Sequence, residues 1–143
     1  MPIAESQLKV REFPGSESNP EILKYYKATS LGGHPEDGST PWCSAFVNWV
    51  MQEAGYRGTR RANARSWLDW GEKLTTPRVG CITVLWRGAL DSTQGHVGFF
   101  VAALPNRIVL LSGNQGNQVS RLEYGSGRVL SFRWPREIDK LHG

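Results

Sequence analysis

The sequence predicts an α+β domain, with helices in its first half and an antiparallel β-sheet in its second. Three observations predict it. Apolar residues recur at helical spacing between Trp42 and Val50. After Gly80 the chain breaks into short runs rich in β-branched and aromatic residues. Turn formers such as Leu104-Pro105-Asn106-Arg107 and Ser112-Gly113-Asn114 separate those runs. Helices followed by strands, rather than alternating with them, argue for segregated layers and antiparallel pairing.

Each element has a local reason. Asn19 as N-cap, Pro20 at the first helical position and Glu21 in the first turn open a helix to about Thr29, with Ile22, Leu23 and Tyr26 available to pack. The loop Leu31 to Ser39 leads into a second helix, with Thr40 as N-cap and Pro41 at the position where a missing N–H costs nothing. Trp42, Ala45, Phe46, Trp49 and Val50 form its buried stripe, and Gly55 ends it. A third, short helix is expected from about Asn63 to Trp70. About five strands follow: Cys81 to Trp86, His96 to Ala103, Arg107 to Ser112, Gln118 to Tyr124 and Val129 to Trp134.

Two of these elements carry chemistry. Cys43 falls at the third position of its helix, among unpaired backbone N–H groups and at the positive end of the helix dipole, where thiolate is favoured. The same residue also reads as a small apolar side chain on a core helix. A regular hairpin centred on Pro105 pairs residues whose numbers sum to about 210 and so sets His96 opposite Asn114. A strand-start histidine is also a common structural residue, and an Asn in Ser112-Gly113-Asn114-Gln115-Gly116-Asn117 a common turn former. Together, a thiol, an imidazole to take its proton and an amide to fix the ring are the parts of a cysteine nucleophile system.

The segments Pro41-Trp42-Cys43-Ser44-Ala45-Phe46-Val47-Asn48-Trp49, Ala64-Arg65-Ser66-Trp67-Leu68-Asp69-Trp70-Gly71, Gly95-His96-Val97-Gly98-Phe99 and Gly113-Asn114-Gln115 closely resemble the NlpC-type and CHAP group of papain-like bacterial cysteine hydrolases. The resemblance spans about Asn19 to Pro135 within a single catalytic domain, 1–143. It implies a papain-like fold and cleavage of an amide or peptide bond of peptidoglycan, as in endolysins, wall-remodelling enzymes and secreted antibacterial effectors. It assigns Cys43 as nucleophile, His96 as general base and Asn114 as orienting residue. Trp42 and Ser44 beside the nucleophile, Asp37 in the preceding loop and Gln115 are the candidate substrate-binding residues. Relatives usually carry an acid after the glycine that opens the first sheet strand, where this chain has Cys81 after Gly80. Two other classes stay open: a silent wall-binding module, and a papain-like protease or deamidase acting on protein.

Composition agrees with a compact enzyme. At 143 residues the chain can bury roughly 68–70% of its unfolded surface, and 39% hydrophobic content with six tryptophans excludes a disordered chain. A Cys43–Cys81 disulfide would consume the nucleophile, and His34, Cys43, Cys81 and His96 lack the short paired spacings of a zinc site, so neither cofactor nor metal is expected. The net charge of +4 suits an anionic polymer. Arg57, Arg60, Arg61 and Arg65 form either a solvated face or a substrate-facing rim, and the tryptophans fall at core spacing rather than as exposed stacking residues, so no nucleic acid is expected. Met1 to Val10 has no signal-peptide core and no segment has the length of a membrane span. The expectation is a protein made in the cytoplasm and carried to the periplasm or wall by a holin or secretion system, with a cognate inhibitor as a further expected partner.

Overall fold

The computed structural model describes residues 1–10, 20–29, 42–91, 94–115 and 118–141. Asn19, His34, Asp37, Thr40, Pro41, Asn117 and His142 lie outside the described residues, and with them both expected side-chain N-caps. The class is the expected one, α+β. Helices α1 (Pro2–Glu5), α2 (Pro20–Tyr26) and α3 (Cys43–Glu53) precede an antiparallel sheet of strands β1 (Glu72–Leu74), β2 (Ile82–Trp86), β3 (Gly95–Leu104), β4 (Arg107–Ser112), β5 (Ser120–Gly125) and β6 (Val129–Trp134). The spatial order is β1-β6-β2-β3-β4-β5. Among the described residues the sheet has six strands where about five were expected. The additional one, Glu72–Leu74, is exposed along most of its length, pairs with β6 alone among the described strands, and has no hydrophobic alternation to announce it.

Helix α3 is the pillar of the molecule. Its first residue is Cys43, two positions nearer the helix start than the sequence suggested, with Trp42 as N-cap. Ala45, Phe46 and Val47 are fully buried, and Tyr25 of α2 meets the rings of Phe46, Trp49 and Trp42 at 5.2, 5.3 and 5.9 Å. Such offset and edge contacts add to area burial. The helix ends as Gly55 predicts. Gly55 takes φ 91°, its N–H donates to the Gln52 carbonyl at 3.1 Å, and the Tyr56 N–H donates to the Met51 carbonyl at 2.8 Å, a Schellman pair that left-handed glycine permits. The expected third helix is a 3-10 helix, Ala64–Asp69, whose Trp67 is fully buried.

The sheet divides the core. Ile82, Val84, Val97, Phe99 and Leu111 pack under the helices. Cys81, Leu85, Phe100, Ile108 and Leu110 form a second cluster with Tyr124, Val129 and Phe132. Alternation along β2 and β3 assigns the two faces, since successive side chains point to opposite sides.

The hairpin from β3 to β4 turns at Pro105-Asn106, where Asn106 adopts φ 60°. Leu104 pairs with Arg107, one step off a register centred on Pro105, and the irregularity between Phe100 and Ala102 then sets Phe99 opposite Leu111, which is that register. Gly98 lies so close to Ser112 that a Cβ there would stand 2.8 Å from the serine Cβ. The β4–β5 ladder begins at Ser112 paired with Ser120, and Asn114 turns left-handed with φ 59°.

Ser44, expected at the substrate, is instead a fully buried structural node. Its hydroxyl donates to the Arg61 carbonyl at 2.7 Å and accepts from Trp67 Nε1 at 3.0 Å, while Asn48 Nδ2 reaches the Ser44 and Arg61 carbonyls at 3.0 and 3.2 Å. The reason is helical phase. Ser44 and Asn48 are four apart, one above the other on the face that receives the 57–61 segment. Replacing Ser44 with Ala should strand the Trp67 N–H and leave the Arg61 carbonyl with Asn48 Nδ2 alone, destabilising the fold by about 1–3 kcal/mol in urea titration. A midpoint unchanged from wild type would show that the node is solvated.

Candidate active site

The sulfur of Cys43 lies at the start of α3, where that helix reaches β3. The backbone N–H groups of Val97, the residue after His96, and of Ser44 lie near enough to favour its thiolate form. Helix start and strand start are thus in contact at this point. Cys43 is only 3% exposed and His96 only 2%.

His96 is held by Gln115. Its Nε2 lies 2.8 Å from Gln115 Oε1, and the Tyr124 hydroxyl donates to the same oxygen at 3.0 Å. The other end of the amide is occupied too, because Gln115 Nε2 donates to the Ser120 carbonyl at 2.7 Å and to the Leu110 carbonyl at 3.3 Å. An amide whose N–H groups are spent on carbonyls presents only an acceptor to the ring. His96 Nε2 therefore carries the proton, and Nδ1 is the basic nitrogen of the neutral imidazole. The Tyr124 ring packs on His96 at 5.3 Å and 36°.

The partner of the ring is the neighbour of the residue expected. Asn114 spends its place on the left-handed turn that closes the β4 strand, and the next side chain, Gln115, is directed back at His96. Continuing the ladder register to His96 assumed that the chain stays extended through Asn114, and the turn at Gly113-Asn114 breaks that assumption. Gly113 is placed against Trp42. A Cβ on Gly113 would run into the indole and stand 3.0 Å from the Phe46 Cβ.

Of the remaining candidates, Trp42 is 1% exposed and packs in the core against Tyr25. Asp37 lies outside the described residues. Cys81 is buried in the second core cluster, its sulfur 3.8 Å from Thr83 Oγ1. Among the described residues no cluster of His, Cys, Asp or Glu is arranged to hold a metal. Three neighbours of the site escaped the sequence reading: Tyr124, Arg87 and Arg128. Tyr124 was visible only as a strand residue, and Arg87 only as the residue after a strand.

Electrostatics favour neutral partners. Burial pushes the Cys43 thiol above its ordinary value, against the opposing pull of the Val97 and Ser44 N–H groups and of the Arg87 charge. Burial likewise lowers His96 to about 4; the Gln115 hydrogen bond acts the other way, and the positive charges of Arg87 and Arg128 add to the lowering. Tyr124 is raised to about 12, chiefly by burial. The helix-start argument for a ready thiolate is thus outweighed by desolvation in the substrate-free protein.

The CHAP domain model matches residues 35–114, more than half of the chain, and the chain belongs to the CHAP domain family. That family consists typically of amidases and peptidases that act on peptidoglycan. No curated protein matches the chain.

The buried imidazole predicts an acid limb in stability. An unfolded histidine binds its proton near 6.5 and the folded one near 4, so between these values the unfolded chain holds more protons. The contribution is whole above about pH 6.5 and is lost as pH falls toward 4, by an amount on the order of 3 kcal/mol. His96→Gln, which cannot titrate, should flatten the pH 4–6.5 segment of the urea-midpoint curve relative to wild type. Parallel curves would place His96 in water.

Proposed function

We propose that this chain is a cysteine amidase or peptidase that cleaves an amide or peptide bond of bacterial peptidoglycan. Cys43 is the nucleophile, His96 the general base through Nδ1, and Gln115, rather than Asn114, the residue that fixes the ring. The observation that carries this reading is the His96–Gln115 bond at the start of β3, the strand whose next residue, Val97, favours the Cys43 thiolate through its N–H. Membership of the CHAP family supplies the substrate class.

In this mechanism His96 Nδ1 takes the thiol proton as the sulfur attacks the carbonyl carbon. Because both groups are neutral in the free protein, proton transfer and attack proceed together rather than from a standing ion pair. The Cys43 N–H and the start of α3 stabilise the oxyanion. The Nδ1 proton then passes to the leaving amine, and water, deprotonated by the same nitrogen, releases the acyl group from sulfur. Tyr124 and Gln115 keep Nε2 protonated throughout. Delivery to the periplasm or wall by a holin or secretion machine, with an inhibitor protecting the producer, completes the reading.

The test is incubation of purified protein with peptidoglycan and mass-spectrometric identification of the fragments. Cys43→Ala should abolish release, and His96→Ala should approach that loss because nucleophile and base act as a unit. Gln115→Ala should lower the rate roughly 10- to 10⁴-fold, as for loss of an orienting group, whereas Asn114→Ala should cost less. Cys81→Ala should retain activity. A fully active Gln115→Ala beside a crippled Asn114→Ala would reverse the assignment. Failure of folded wild type to release any fragment would favour the silent wall-binding module.

A further inference from the structure

Leu85 pairs directly with His96 across the β2–β3 ladder. Arg87 directly follows Trp86, the last residue of β2, which pairs with Gly95, the neighbour of His96. The loop that carries Arg87 is held from outside. Arg65 donates through Nε to the Gln94 carbonyl at 2.7 Å, through Nη1 to that of Leu90 at 3.0 Å and through Nη2 to that of Ala89 at 3.1 Å. Arg128 holds the residue before it, donating to the Trp86 carbonyl through Nε and Nη2 at 3.3 and 3.1 Å and stacking over the rings of Trp86 and Tyr124. Two arginines are therefore spent on the backbone on either side of Arg87. Arg87 itself is exposed, and among the described residues its guanidinium has no ion pair or hydrogen-bond acceptor.

An exposed guanidinium on a held backbone, unpaired among the described residues and close to the reacting groups, is matched to a planar anion. We propose that Arg87 is a specificity residue that binds a carboxylate of the substrate flanking the scissile amide, so that the site prefers free-acid stem peptides to their carboxamide forms. This rests on the peptidoglycan reading above and narrows it. Peptidoglycan stems carry such a group as the α-carboxylate of the D-glutamyl residue, which exists free or amidated. A guanidinium gains two parallel charge-assisted bonds from the carboxylate and loses both the charge and one acceptor when it is amidated. The same charge reaches Cys43, His96 and Tyr124, which sets it within range of the reacting atoms.

The experiment compares two synthetic stem peptides that differ only in carboxylate against carboxamide at the D-glutamyl position. Turnover is followed with wild type, R87Q and R87K, and binding by calorimetry with C43A and C43A/R87Q, each checked for folding by thermal melt. Wild type should favour the carboxylate about 10- to 100-fold in kcat/KM, the range for a hydrogen bond to a charged group. R87Q should erase that ratio by losing the acid substrate, and R87K should keep part of it. A general structural role for Arg87 would lower both substrates alike and leave the ratio intact, which would overturn the inference. If wild type cuts neither peptide, the hydrolase reading fails, and the binding arm decides for Arg87. Tighter binding of the carboxylate by C43A, lost in C43A/R87Q, supports it; equal or absent binding of the two overturns it.

Discussion

The Gln115 carboxamide is the contact through which the rest of the site is organised. Its two N–H bonds to Leu110 and Ser120 tie it to strands β4 and β5, and its oxygen is shared between His96 and Tyr124. An amide free to rotate would let the imidazole choose either tautomer. Clamped, it leaves one, with Nδ1 as the basic atom. The bond thus converts the packing of two strands into a statement about which nitrogen can accept a proton, and it is buried, where an unpaired group of this kind costs most.

Burial sets the second constraint. A thiol and an imidazole lying almost wholly out of water share a preference for their neutral forms, and the two shifts run in opposite directions. Helix-terminal charge is worth about 0.3–1 kcal/mol at exposed positions and up to about 2 when partly buried. Desolvation of a fully buried ionisable group can move its pKa by 3–5 units, and it wins. Burial favours the neutral thiol, and the Arg87 charge pulls the other way. The arginines at 65 and 128 hold the backbone on either side of Arg87.

The α3 helix joins these features to the core. On one face Phe46 meets Tyr25 and, on the sheet, Phe99; on another Ser44 and Asn48 hold the 57–61 segment, where Arg60 is left-handed at φ 58° and its N–H donates to Asn48 Oδ1 at 2.7 Å. The arginines at 57, 60 and 61 therefore have backbones tied to the core and exposed side chains, whereas Arg65 is a pin for another loop. A cluster that looks uniform as a string of charges divides in space, because position in the chain says nothing about which guanidinium meets a carbonyl.

By itself the sequence determined the class of fold, the helix bearing Cys43, its glycine stop at Gly55 and the turn at Pro105-Asn106, because each is encoded by neighbours a few residues apart. Hydrophobic period, capping and turn chemistry are local. The exposed β1 strand escaped for the same reason, since pairing with β6 is its main support. Only the tertiary structure made Gln115, rather than Asn114, the hydrogen-bond partner of His96, past a left-handed turn at Asn114. Only it could move Ser44 and Trp42 from the substrate side into the core, through helical phase and the close approach of Gly113. And only it could set Arg87 beside His96, because the register of β2 against β3 crosses a loop whose shape is made by Arg65, a residue on another element. Local free energies are written along the chain, whereas desolvation and the meeting of side chains distant in sequence exist only once the chain has folded.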